Sequence, residues 1–80
     1  MADLTDSQRA ELKNKVCDVL EIDPAEVNDD ARFEDLGADS MLALEILALL
    51  DREYGLNLDN SVLADMETMN GIYSIVERHN

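Results

Sequence analysis

A serine at a turn-to-helix junction is the residue of this chain best placed for chemistry. Ser40 follows the turn at 37–39 and opens an apolar run. Its hydroxyl is expected at a helix N-terminus, where unpaired N–H groups and the helix dipole stabilise a phosphate. No general base accompanies it, since the single histidine is the penultimate residue, His79. The pattern predicts a serine that is modified rather than catalytic, and hence a protein that is not an enzyme; a plain helix cap is the alternative.

The remaining polar residues form no recognisable catalytic or metal site. Paired carboxylates at 29–30 and 34–35 are typical of a solvated loop in so acidic a chain. The sequence has no zinc-ligand spacing and no phosphate-binding glycine loop, so no metal is predicted. Cys17 is the only cysteine, which excludes an internal disulfide and favours the reducing cytoplasm.

The charge of the chain restricts its partners. Its 80 residues include 19 acidic and 6 basic ones, for a formal net charge of -13. Such a field repels nucleic acid and anionic membranes and attracts basic proteins. A chain of this length with 46% hydrophobic residues predicts one folded domain over 1–80 and, on this interpretation, a monomer. Neither a secretion signal nor a membrane-spanning run is recognisable in it.

The elements that must position Ser40 are helical. Apolar residues recur at helical spacing and no alternating strand pattern occurs, so the fold class is predicted to be all-α, a four-helix bundle with a short third helix. Phe33 and Leu36 are expected to anchor a long loop, and Gly71 lowers the propensity of the last helix. In order, the predicted elements are a helix opened by a Thr5–Gln8 capping box, one turn at 24–26, the loop over 27–39, a helix over 40–54 ended by Gly55, a short helix over 60–66 and a helix capped by Thr68.

The predicted second helix is apolar on two sides. At about 100° per residue, one apolar side should enter the core while the opposite side faces outward. An exposed apolar patch with an acidic border is typical of a docking surface. The predicted core side is Ala43, Ile46, Leu47, Leu50 and Tyr54, and the opposite side is Met41, Leu44 and Ala48, bordered by Glu45, Asp51 and Arg52.

Residues 35–41, Asp-Leu-Gly-Ala-Asp-Ser-Met, resemble the attachment motif of acyl carrier proteins, whose usual form is Leu-Gly-x-Asp-Ser-Leu/Met. The resemblance continues through Glu45, residues 50–55 and Leu58, and it reaches residues 65–69, which look like the link into the final helix. It covers the chain from about Leu12 to Val76. Size, acidity, loop and helix order agree with it.

The resemblance implies a role for Ser40 and for its neighbours. A phosphopantetheinyl transferase would add 4′-phosphopantetheine from coenzyme A to Ser40, beside Asp39. The terminal thiol of the arm, not Cys17, would carry acyl groups as thioesters to loading and chain-processing enzymes with basic docking surfaces. The partner-binding residues implied by position are Met41, Leu44, Glu45, Ala48 and Asp51, with Met66 at the other edge.

Two departures from the pattern of many fatty-acid carriers bear on the pathway. Leu42 stands where those carriers have an acidic residue, and Arg52 interrupts the acidic run. These departures favour a free-standing carrier of specialised polyketide or fatty-acid-type biosynthesis. A free-standing peptidyl or aminoacyl carrier is the first alternative, and an acidic adaptor without a prosthetic group is the second. A growing chain is expected to fold back near Leu47, Leu50, Leu58 and Leu63.

Overall fold

The computed structural model describes residues 4–79, and within that range it is helical with no strand. The prediction of an all-α fold is confirmed, although the short third helix is a 3-10 helix. No helix in the described part of the chain is long and apolar enough to cross a membrane. The elements are α1 (Asp6–Leu20), η1 (Pro24–Glu26), η2 (Phe33–Leu36), α2 (Ser40–Tyr54), η3 (Asn60–Asp65) and α3 (Met69–His79), where η denotes a 3-10 helix.

Side-chain caps fix the starts of α1 and α3. The Thr5 hydroxyl accepts the Gln8 N–H at 3.1 Å, and the Gln8 side chain accepts the Thr5 N–H at 2.9 Å. This is the predicted capping box. The Thr68 hydroxyl accepts the Gly71 N–H at 3.0 Å, as the sequence also predicts. Each cap pairs a backbone donor that the helix itself leaves unpaired.

Aliphatic side chains from all three α-helices form one core. The predicted core side of α2 is confirmed at Ile46 and Leu50, which are buried, whereas Ala43, Leu47 and Tyr54 are only half-buried. Leu49, which the helical wheel left out, is buried as well. The fully buried side chains are Leu12, Val16 and Cys17 of α1, Ile46 and Leu50 of α2, and Met69, Ile72, Ile75 and Val76 of α3.

The first connection, residues 21–39, is attached to the helices by polar contacts. Lys13 Nζ of α1 donates to the Val27 carbonyl at 2.6 Å and forms an ion pair with Asp29 at 2.8 Å. From α3, the Asn70 N–H donates to the Asp29 carbonyl at 3.1 Å, and the Asn70 amide donates to the Asp30 carboxylate. The long loop is thus joined to both neighbouring helices.

Apolar anchors complete the attachment of the first connection. Phe33 is buried, and Leu36 packs against the core, as predicted. The two residues lie in η2, a turn that the sequence did not indicate. The Phe33 N–H also donates to the Glu67 carbonyl at 2.8 Å, which joins the first connection to the second connection, residues 55–68.

Gly71 has a packing role that its low helix propensity concealed. A Cβ atom on this residue would lie 2.0 Å from the carbonyl oxygen of Asp65, at the end of η3. Only a residue without a side chain allows α3 to approach the second connection so closely. Gly71 is therefore a requirement of the fold rather than a weak point of α3.

Candidate functional site

Ser40 is the first residue of α2, and the residue before it caps the helix. Asp39 has an extended backbone, and its side chain accepts the Leu42 N–H at 3.1 Å. The alternative in which Ser40 serves only as the helix cap is therefore wrong. Gly37, with φ of 91°, ends η2 in the left-handed conformation that glycine adopts without strain, and it turns the chain towards Asp39.

The first turn of α2 fits a phosphate on the Ser40 hydroxyl. The Leu42 N–H is bonded to the Asp39 side chain and the Ala43 N–H to the Asp39 carbonyl at 3.1 Å. Within residues 4–79, the N–H groups of Ser40 and Met41 have no protein acceptor. Ser40 is exposed. A phosphate attached to its oxygen can thus accept from two backbone donors at the positive end of a 15-residue helix.

A cleft of about 410 Å³ opens beside Ser40 and is referred to here as the Ser40 cleft. It lies between the first connection, the first half of α2 and the end of the second connection. Its wall is largely apolar, while charged groups stand among its lining residues. The lining consists of Arg32, Phe33, Glu34, Ala38, Asp39, Ser40, Ala43, Ile46, Leu63, Met66 and Glu67.

The outward side of α2 has the exposure that its sequence predicts. Met41 is 71% exposed and Leu44 is 45% exposed. They are the two large hydrophobic residues that are exposed within the described part of the chain. Glu45, Ala48 and Asp51 are exposed as well. These five side chains are accessible together along one helix, and they are called the α2 face below.

Met66 does not belong to that accessible surface. Its side chain is only 3% exposed, because it packs into the core and forms part of the wall of the Ser40 cleft. The expectation that Met66 presents itself at an edge of a docking surface is corrected by this burial. Of the four leucines expected around a folded-back chain, Leu63 lines the cleft, whereas Leu47, Leu50 and Leu58 do not.

Of the charged residues of the cleft, sequence reasoning named Asp39 as a site residue and missed Arg32, Glu34 and Glu67. The Nη2 atom of Arg32 lies 3.3 Å from a carboxylate oxygen of Glu34 and 3.5 Å from one of Glu67. Glu67 is 35 residues away in sequence, so its proximity could not be read from local spacing. One signal was available: Arg32 is the only basic residue in the first connection.

Comparison with known proteins agrees with this geometry. Residues 10–76 match the family described as "Phosphopantetheine attachment site". The chain is 44% identical to Polyketide-8 synthase acyl carrier protein 2 of Streptomyces avermitilis, over 85% of this chain and 79% of that protein. It is 41% identical to Polyketide-8 synthase acyl carrier protein 1 of the same organism, over 88% and 84% respectively. It is 32% identical to the acyl carrier protein of Solidesulfovibrio magneticus, over 84% and 87%.

The chain therefore belongs to the acyl carrier protein family, whose hallmark is a phosphopantetheine attachment site. The predicted family and the predicted prosthetic group, 4′-phosphopantetheine, are both confirmed. The relatives named above are carriers rather than catalysts by name.

Proposed function

We propose that this protein is an acyl carrier of a polyketide-type pathway and that Ser40 is its attachment residue. The observation that carries the proposal is the exposed Ser40 hydroxyl at the first position of α2, next to two unpaired backbone donors. The bound arm supplies a thiol that holds acyl groups as thioesters. The pathway is supported by the 44% and 41% identity to two carriers named for a polyketide synthase.

The protein's own residues hold and present the arm. Asp39 fixes the start of α2 through its bond to the Leu42 N–H, so the Ser40 oxygen has a defined position. The α2 face adjoins Ser40 and combines apolar contact area with acidic charge, which suits the basic surfaces of a phosphopantetheinyl transferase and of chain-processing enzymes. We propose that residues 1–80 act as one such carrier domain.

Intact mass after modification tests the attachment residue. Incubation with coenzyme A and a broad-specificity phosphopantetheinyl transferase should add one phosphopantetheine to the wild type and none to Ser40→Ala. Ser74→Ala is the matched control, because Ser74 is also an exposed helical serine, and it should gain the full mass. An unmodified wild type would favour the acidic adaptor, and a modified Ser40→Ala would place the arm on another residue.

Loading of the modified protein tests the type of cargo. Malonyl or another acyl group should be transferred to the arm by an acyltransferase of a polyketide pathway. Loading by an amino-acid-adenylating enzyme in preference to acyl transfer would instead favour the peptidyl or aminoacyl carrier.

Neutralising two acidic residues of the α2 face tests its role in docking. The double variant Glu45→Gln/Asp51→Asn should associate with the transferase several-fold more slowly, and its rate should depend less on salt, because two exposed steering charges are lost. Asp18→Asn/Glu26→Gln removes the same charge from exposed positions outside the face and is the control. Equal rates for the two double variants would place the interface elsewhere.

A further inference from the structure

We infer that Arg32 determines which acyl chains the Ser40 cleft holds, by donating hydrogen bonds to carbonyl oxygens along the chain. The cleft would then prefer a neutral oxo-acyl cargo over a saturated chain or a chain that ends in a carboxylate. This inference rests on the proposed function, since the cargo reaches the cleft from an arm on Ser40.

The cleft combines an apolar wall with a few charged residues, which suits an acyl chain that carries a polar group. Its volume of about 410 Å³ is within the range of small-molecule sites. Phe33, Ile46, Leu63 and Met66 supply apolar contact area, which binds a hydrocarbon segment without discriminating its substituents. Orientation and specificity in such sites come from a few polar groups among the apolar ones.

Arg32 has more N–H donors than its side-chain contacts use. Both of its contacts, to Glu34 at 3.3 Å and to Glu67 at 3.5 Å, use the Nη2 atom. Within residues 4–79, the N–H groups on Nε and Nη1 have no side-chain acceptor, and a guanidinium has five donors in all. The side chain is 53% exposed, and ion pairs of that kind are weak and exchangeable. The guanidinium can therefore bond a carbonyl oxygen without giving up a strong contact.

The backbone of Arg32 is anchored at the cleft, whereas its side chain can change conformation. Its neighbour Phe33 is buried, and the Phe33 N–H bonds to the Glu67 carbonyl at 2.8 Å. The backbone of Arg32 is thus held between the first and second connections. The anchored backbone therefore keeps the guanidinium within reach of the cleft.

The charges of the lining decide between a carbonyl and a carboxylate. Glu34, Asp39 and Glu67 line the cleft together with Arg32, so the lining contains three acidic residues and one basic one. A further carboxylate on the cargo would meet this acidic surplus at close range. A neutral carbonyl oxygen accepts from Arg32 and adds no charge. The lining therefore selects oxo groups against carboxylates.

Three cargo analogues of equal chain length test the inference. Octanoyl, 3-oxooctanoyl and 7-carboxyheptanoyl groups are attached to the modified full-length protein through amide linkages that do not hydrolyse. The ratio of docked to undocked chain is read from the backbone amide shifts of Ala43 and Leu63, relative to the unloaded protein. The Arg32 Nε–H resonance reports directly on the proposed contact.

The 3-oxooctanoyl group should have a docked-to-undocked ratio about fivefold above that of octanoyl, as expected for a hydrogen bond to a charged donor at a half-exposed site. It alone should shift the Arg32 Nε–H resonance, and 7-carboxyheptanoyl should dock least. Arg32→Gln should abolish the preference. Arg78→Gln should retain it, since Arg78 is 55% exposed and pairs with Asp65 at 3.5 Å outside the cleft.

A preference that survives Arg32→Gln, or equal docking of the octanoyl and 3-oxooctanoyl groups, would overturn the inference. So would stronger docking of 7-carboxyheptanoyl. In each of these cases normal attachment at Ser40 would leave the proposed function standing. Failure to modify Ser40 would overturn the proposed function, and the inference with it, and intact mass distinguishes this result before any cargo is attached.

Discussion

The first and second connections both border the Ser40 cleft, but different interactions hold them. The first connection is joined to α1 and α3 by directional contacts from Lys13 and Asn70. The second connection is positioned by close packing, with the Asp65 carbonyl against Gly71. In the longer connection, directional bonds from the helices add to the burial of Val27 and Phe33. The shorter connection approaches α3 closely because Gly71 has no side chain. The segment that leads into Ser40 thus combines polar contacts to two helices with the apolar anchors Phe33 and Leu36. The opposite wall of the cleft depends on the close packing at Gly71.

Gly71→Ala should have the largest effect, because it attacks the packing of the second connection. Its Cβ would lie 2.0 Å from the Asp65 carbonyl oxygen, so η3 or α3 must move. We expect the free energy of unfolding to fall by about 3 kcal/mol, as for severe overpacking. Urea denaturation measures it, with Ser74→Ala in the same helix as the control. Gly→Ala ordinarily stabilises an exposed helix interior. A gain of stability here would therefore show that α3 does not approach the Asp65 carbonyl closely.

Lys13→Met should have a smaller effect, because it removes one polar attachment of the first connection. The Val27 carbonyl loses a charged donor at 2.6 Å, which corresponds to about 1.5 kcal/mol of unfolding free energy. The exchange of amide protons in residues 27–33 should accelerate at the same time. Lys15→Met is the matched control, since Lys15 of the same helix contacts Glu11, Glu53 and the Tyr54 ring and no carbonyl of the first connection in the described structure. If both variants lose equal stability, the loop does not depend on Lys13.

The smallest effect is expected at Asp59, which caps η3 in the second connection. Hydrogen bonds from the Ser61 hydroxyl and N–H lower the pKa of Asp59 below its ordinary value of 3.8. Since the folded pKa is the lower one, the stabilisation is present above the unfolded pKa and is lost as pH falls through the folded pKa. Asp59→Asn should remove this part of the acid dependence.

Acid titration of the Ser61 amide shift and exchange rate measures that dependence. Asp18→Asn is the control for the loss of one exposed carboxylate. An unchanged titration of the Ser61 amide in Asp59→Asn would mean that another group sets the acid response of the second connection.

The features that the sequence could predict are those with local signals. The bounds of α2 follow from the Asp39–Ser40 junction and from Gly55, and the start of α1 follows from Thr5 and Gln8 within one turn. The family motif around Ser40 is likewise contiguous. In these segments each residue is specified by neighbours a few positions away.

The features that escaped prediction depend on contacts between distant segments. Glu67 reaches Arg32 across 35 residues, and Gly71 is needed because of a carbonyl in another element. Met66 is buried because the second connection folds over the core, which its position in the sequence does not reveal. Leu49 is buried beside Val19 of α1, and a wheel drawn for one helix omits its neighbours.

The hydrogen bond from the Phe33 N–H to the Glu67 carbonyl has a consequence for the motion of the cleft. It is the 2.8 Å link between the backbones of the two connections, and both residues line the cleft. The cleft cannot widen between them while that bond is intact. Hydrogen–deuterium exchange of a single amide proton, on Phe33, therefore measures how often the cleft opens. Comparison of the exchange rate in empty and in loaded protein shows whether a bound chain increases that opening.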